Sequence, residues 1–315
     1  LSSGAAALLL GRTVEGIGMG LILVLGPTAV SAWFAPQERG LPMGIWAMWV
    51  PVGNAIAFNV AEPIIETWGW QALWWLGALC ALAAAPIYAA VVVDPPGSPA
   101  QTTAPALVHS RQGSPTAPGT FHRHLLNPAS WILGLAFGTF TFSMLGFVTW
   151  APTYLSGAVG MPAATANFVA SLVFLVGLGA NLFAGWTIDR TRDRYRLLVL
   201  SFVIGTVFFS SSFGLRSVTL VTPYVLLLGT MASFIVTNIF TLAPDTMDLP
   251  QLAGLGVAIA SVGSSLGTLT GPPVLGALIS SGGWTAGSIC LAIVMAVGSC
   301  ATFVAWRKGR SPANP

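Results

Sequence analysis

The 315-residue sequence predicts an all-α membrane protein with nine spanning helices, and three observations carry that prediction. Hydrophobic residues form 55% of the chain and charged ones only 7%, where a soluble domain devotes about a quarter of its residues to Asp, Glu, Lys and Arg. Mean hydropathy is +0.80. Stretches almost free of charge, such as 197–215 and 252–281, match the ~20 residues a helix needs to cross ~30 Å of hydrocarbon. Helices are favoured over a barrel because lipid obliges every backbone N–H and C=O to be satisfied internally, and the ten-residue alternation of barrel strands is absent.

Polar or Pro/Gly-rich breaks separate the apolar segments 3–33, 40–65, 70–93, 128–157, 162–188, 197–215, 220–243, 252–281 and 284–306. The first three form one block, 1–93. The Pro-, Ser- and Thr-rich stretch 94–127 cannot bury enough apolar surface to fold alone and reads as a linker. Residues 128–306 hold six further spans, and 307–315 form a tail. His122 and His124 have no third ligand near them, and Cys80, Cys290 and Cys300 lie in apolar runs without CxxC spacing. No metal, cofactor or disulfide is therefore expected.

Lys and Arg set the orientation. Arg39, Arg111, Arg123, Arg190, Arg192, Arg194, Arg196, Arg307, Lys308 and Arg310 fall on one side, Arg216 on the other, and Arg12 inside a span. The first side is the cytoplasm, and WTIDRTRDRYR (186–196) is a tight cytoplasmic turn. The basic residues flank apolar segments and do not interleave with aromatics in a patch, so nucleic acid is not a partner.

An internal repeat links the second and eighth spans. VGNAIAFNVAEP (Val52–Pro63) and VGSSLGTLTGPP (Val262–Pro273) share their ends and spacing. Gly53, Ala57 and Ala61 answer Gly263, Gly267 and Gly271 at intervals of four, one helical face suited to close packing or a hinge, with Pro272 breaking the ladder beyond it. Ala35-Pro36 likewise answers Ala243-Pro244, and Gly69-Trp70 answers Gly283-Trp284. If the first three spans repeat the last three, the middle three should have counterparts ahead of Leu1, giving twelve spans in two parallel halves.

Candidate functional residues are the polar ones at membrane depth. Arg12 and Glu15 lie three apart on one face of the first span, and a buried charge costs about 2.5 to 3.5 kcal/mol on insertion scales, so such residues face a cavity or a partner. Arg12 suits an anionic substrate and Glu15 a proton; a structural ion pair is the plainer account. Trp46, Trp49, Asn54, Asn59 and Pro51 cluster in the second span, where Pro51 can bend the helix and free carbonyls. Glu62 and Glu66 read as headgroup-level charges. Thr139, Thr141, Phe142 and Asn181 suit interhelical contacts, and Asn238 in the seventh span sits in the helix that repeats Arg12's. No nucleophile elbow, P-loop, GxGxxG or HExxH is present, so catalysis has no support.

These residues carry a resemblance to the major facilitator superfamily (MFS), covering essentially the whole chain, with the family's first three helices lacking. GWTIDRTRDR is similar to its G-x-x-x-D-R-x-G-R-R loop: Gly185, Asp189, Arg190 and Arg194 match, while Arg192 and Asp193 depart from it. LLLGRTVEGIG resembles its R-x-x-Q-G-x-G pattern, with Arg12, Gly16 and Gly18 matching and Glu15 at the Gln. GPPVLG is similar to an antiporter element, whose proper counterpart here reads VAEP. The resemblance implies nine of twelve helices arranged as two rocking bundles, a small-molecule substrate, proton coupling through Glu15, and a monomer in a bacterial inner membrane. It implies further that Asp189 and Arg190 hold a cytoplasmic gate shut. WFAPQERG through WVPVG resembles permeases for small anions; drug or metabolite efflux, a non-transporting scaffold and an inactive fragment are the alternatives.

Overall fold

A computed structural model describes residues 5–91 and 120–309. Most of the linker expected at 94–127, with Arg111, and the end of the tail, with Arg310, lie outside the described residues, as do the side chains of Asn59 and Glu62. The described residues form helices and turns without a strand: α1 (Ala5–Trp33), α2 (Gly40–Ala47), α3 (Trp49–Trp68), α4 (Gln71–Val91), α5 (Thr120–Leu125), α6 (Pro128–Gly157), α7 (Ala163–Leu175), α8 (Gly177–Arg190), α9 (Arg194–Ser210), α10 (Val218–Leu242) and α11 (Ala253–Gly309).

All nine apolar segments are helical, with departures that have local causes. Six helical stretches among the described residues are long and apolar enough to cross a membrane. The difference from nine arises because α9 is only 17 residues long, the last two segments run together, and the second has side chains outside the described residues. The second segment breaks at Met48 because Pro51 has no N–H to offer the Ala47 carbonyl four residues back. The fifth breaks at Val176, ahead of Gly177. The two breaks meet: a Cβ on Gly177 would lie 3.3 Å from the Pro51 ring.

The repeat is visible in the backbone. Ala35-Pro36 and Ala243-Pro244 each open a 3-10 turn, Pro36–Glu38 and Pro244–Thr246. Gly69 (φ 78°, ψ 164°) and Gly283 (φ 71°, ψ −176°) occupy the same region, one open only to glycine, and each reverses the chain between two helices. α11 is two helical arms that meet at the kink at Gly283.

Packing is densest along α6 and α11. A Cβ on Gly134, Gly138, Gly263, Gly267 or Gly271 would strike backbone of the facing helix, so these backbones touch directly. Thr141 in α6 donates to the Ser264 carbonyl in α11 (2.9 Å). In lipid, where apolar burial alone gives little drive, such close contact and interhelical hydrogen bonds hold helices together. Phe202, Phe209, Leu228, Leu275 and Met295 fill the core around this pair. α4, by contrast, buries no residue, and a Cβ on Gly53 in α3 would meet nothing within 4 Å.

Candidate functional site

A cavity of about 310 Å³ lies between α1–α3 on one side and α6, α7, α8, α10 and α11 on the other. Met19 and Leu23 line it from α1, Trp46, Trp49 and Pro51 from α2 and α3, Phe137, Phe140 and Thr141 from α6, Asn181 from α8, Phe240 from α10, and Ser264 and Thr268 from α11. Both helix breaks thus border it. Its lining carries no charged side chain. Trp46 stands edge-on to Phe240 at 4.8 Å between centroids. Asn181 Oδ1 accepts from Thr237 (3.3 Å), whereas its amide nitrogen, the Trp49 indole N–H and the Ser264 and Thr268 hydroxyls have no hydrogen bond among the described residues. These neutral groups are what the walls offer a solute.

Toward the arginine-rich end, α2 and α8 close on each other. Asn181, Gly185 and Asp189 recur every four residues along one face of α8, opposite Gly44 and Gly40 of α2. A Cβ on Gly44 would strike the Asn181 carbonyl, and one on Gly40 or Gly185 would strike the other's backbone. The Asp189 carboxylate finishes this row by accepting the Gly40 and Leu41 N–H groups (2.6 and 2.8 Å), the unsatisfied donors at the start of α2. Arg194 Nη2 lies 3.7 Å from Asp189 Oδ1.

A second link runs the other way. Arg39 Nε and Nη2 donate to the Phe34 and Ser31 carbonyls (2.9 and 2.8 Å) at the end of α1, while Nη1 donates to Asp245. Arg39 follows one repeat-related 3-10 turn and Asp245 lies in the other, so the two turns are joined by an ion pair. Burial raises the Asp245 carboxyl above its usual range, outweighing the opposing pull of Arg39 and Arg194. Burial likewise lowers Arg194, against the effect of Asp189 and Asp245. Arg190 takes no part: its guanidinium lies 4.1 Å above the exposed Trp186 ring.

The remaining predicted residues are placed elsewhere. Arg12 and Glu15 pair at 2.7 Å with side chains 63% and 53% exposed, and Arg12 stacks on Trp74 at 4.8 Å. Neither lines the cavity, although Glu15 lies one turn and Arg12 two turns along α1 from Met19 on the same face. Asn54 donates to Val50 in its own helix. Asn238 is fully buried away from the cavity, donating to the Arg194 carbonyl (2.9 Å), and its Oδ1 has no partner among the described residues. Thr139 donates to Ala136, and the Pro272 carbonyl accepts from Trp150 (3.0 Å). No group of three metal-ligating side chains exists among the described residues. Gly40, Gly44 and Asp245 were not singled out from sequence; the four-residue glycine interval, already noted at Gly263, is the signal that marks the first two.

A Major Facilitator Superfamily model matches residues 1–254. The hexuronate transporter of Bacillus subtilis is 22% identical over 94% of this chain and 72% of its own length. The membrane sensor protein UhpC of Salmonella typhimurium is 25% identical over 77% of this chain, which spans about half (54%) of that relative. Among solved structures, the transporter FucP, in a crystal structure of its outward conformation, superposes with a TM-score of 0.64 at 15% identity, over 90% of this chain and 72% of that one. That likeness shows the fold.

Proposed function

Because the chain belongs to the Major Facilitator Superfamily, a family of multi-pass membrane transporters and not of enzymes, we propose that it carries a small organic anion across a bacterial inner membrane by alternating access. The observation that carries this reading is the cavity between two groups of helices, sealed at one end by the α2–α8 contact. In this state the cytoplasmic end is closed, held by Asp189 on the α2 amides and by Arg39 on Asp245. Rocking the groups apart there would expose the cavity to the cytoplasm.

An anionic solute is supported by the hexuronate transporter's name, since a hexuronate bears a carboxylate, and by the Trp49 and Asn181 N–H groups left for an acceptor. Arg12 continues the cavity-lining face of α1 outward and would draw anions to the mouth, with Glu15 taking up the coupled proton. Proteoliposomes should take up radiolabelled hexuronate faster than empty vesicles, with the rate rising when the outside is acidic. Trp49→Ala and Asn181→Ala should each lower uptake at least about tenfold, since a hydrogen bond to a charged group contributes about 1.5–3 kcal/mol. Uptake equal to that of empty vesicles sinks the anion reading; uptake indifferent to the gradient and to Glu15→Gln sinks the coupling.

The uncharged lining favours a second reading, efflux of a neutral apolar solute. Under that reading hexuronate uptake is absent and a lipophilic dye moves instead.

A further inference from the structure

The corner where α9 begins and α11 ends gathers four exposed cations around one acid, Asp193. Asp193 caps α9 by accepting the Arg196 N–H (3.0 Å) through Oδ1, and its Oδ2 accepts the Trp306 indole N–H (2.8 Å), which ties α11 to α9. The acid is thus engaged on both oxygens. Arg192, Arg196, Arg307 and Lys308 are left exposed, except that Arg307 stacks on Phe303 (5.7 Å), and none of them forms an ion pair among the described residues. The nearest apolar surface belongs to the same two helices: Leu200 and Val203 of α9 and Val304 of α11 are exposed, as lipid-facing side chains are. Trp186 and Phe303, both exposed, mark the level where aromatic rings meet headgroups.

We propose that this corner binds the headgroup of an anionic phospholipid from the surrounding leaflet, its phosphate on Arg196, Arg307 and Lys308 and its acyl chains along the exposed faces of α9 and α11. A water-soluble anion would meet the same charges, but only a lipid also covers the apolar strip beneath them. Each basic residue near a charged headgroup contributes roughly fivefold in affinity, so three should together favour an anionic over a zwitterionic lipid by well over tenfold. Seated beside the Trp306–Asp193 hydrogen bond, the lipid would brace α9 against α11.

Short-chain phosphatidylglycerol titrated into the detergent-purified chain tests this, with melting temperature as the readout. It should raise the melting temperature at concentrations where phosphatidylcholine of equal chain length does not. The Arg196→Gln/Arg307→Gln/Lys308→Gln variant should need at least about tenfold more phosphatidylglycerol for the same shift, whereas Arg216→Gln at the opposite end should behave as wild type. Equal shifts from both lipids, or an unaltered triple variant, would overturn the proposal, as would a full shift from soluble glycerol phosphate, which makes the corner a free-anion site. Should the triple variant fail to fold, Arg307→Gln alone and 0.5 M salt on the wild type serve instead: both must weaken the phosphatidylglycerol shift, and a shift that survives both overturns the proposal.

Discussion

Two seams of touching backbone run through the bundle, one along α6 and α11 and one along α2 and α8, and they end differently. The first is long: Gly134 and Gly138 face Gly263, Gly267 and Gly271, and the contact closes on a hydroxyl-to-carbonyl bond between Thr141 and Ser264. No charge interrupts it. The second is short, joining Gly40 and Gly44 to Gly185 and the Asn181 carbonyl, and it ends in Asp189 and the Arg39–Asp245 pair at the margin of the bundle. Once the backbones part, water can satisfy every one of those charged groups, which it cannot do for the buried carbonyls of the first seam. On the proposed alternating-access reading, the same small-residue device builds a permanent joint in one place and a releasable one in the other.

Substituting the permanent joint should have the largest effect. Gly263→Val drives a side chain into the Gly134 carbonyl, and overpacking of this kind costs about 1–3 kcal/mol or more, so the variant should lose most monodisperse protein on size-exclusion chromatography. Gly53→Val, at the repeat-equivalent position with open space around it, should purify like wild type. Equal losses would mean that the two positions are not distinguished by packing.

Gly185→Val should leave a folded protein whose releasable seam is open. With Cys80, Cys290 and Cys300 replaced, spin labels at Leu41 and Arg190 should report a longer distance than in the parent. An unchanged distance would show that something other than the glycine contact holds α2 to α8. Asp189→Asn should act less strongly. It keeps the shape and loses the charge on two N–H bonds, and hydrogen bonds to charged groups contribute about 1.5–3 kcal/mol, so the open population should rise by roughly tenfold without loss of expression.

The smallest effect belongs to Asp245. Because burial raises its carboxyl above the ordinary Asp range, the closed seam binds this proton more tightly than an open state with Asp245 in water. By linkage, acid favours closure. The stabilising contribution is complete below the ordinary Asp value and fades as pH rises through the raised one. The label distance should accordingly shorten on acidification across that window, and Asp245→Asn should remove the dependence. Lengthening instead would mean that the Arg39 attraction outweighs burial.

Much of the architecture was legible because it is local. Apolar runs bounded by Pro, Gly or charge mark the nine segments, and Pro51 marks one of the two breaks. What a single chain cannot display is which face meets which. Gly40 and Gly44 carry the same interval as Gly263 and Gly267, but only the fold sets Gly185 opposite them. Asp245 reads as an ordinary loop acid until Arg39, more than two hundred positions earlier, reaches it. Charge alone drew attention to Arg12 and Glu15, yet the cavity wall nearest them is built from neutral Met19 and Leu23. Arg190 and Asp189 are adjacent in sequence, and the helix sends one outward to Trp186 and the other inward to α2.

The glycines at 69 and 283 share one backbone geometry that a side chain would strain, and neither lies at the cavity. A saturation mutagenesis screen should therefore return two near-identical rows of intolerance, 214 codons apart, at positions that no solute touches. Such matched rows would be an imprint of gene duplication, and a survey hunting for ligand contacts would do well to subtract them first.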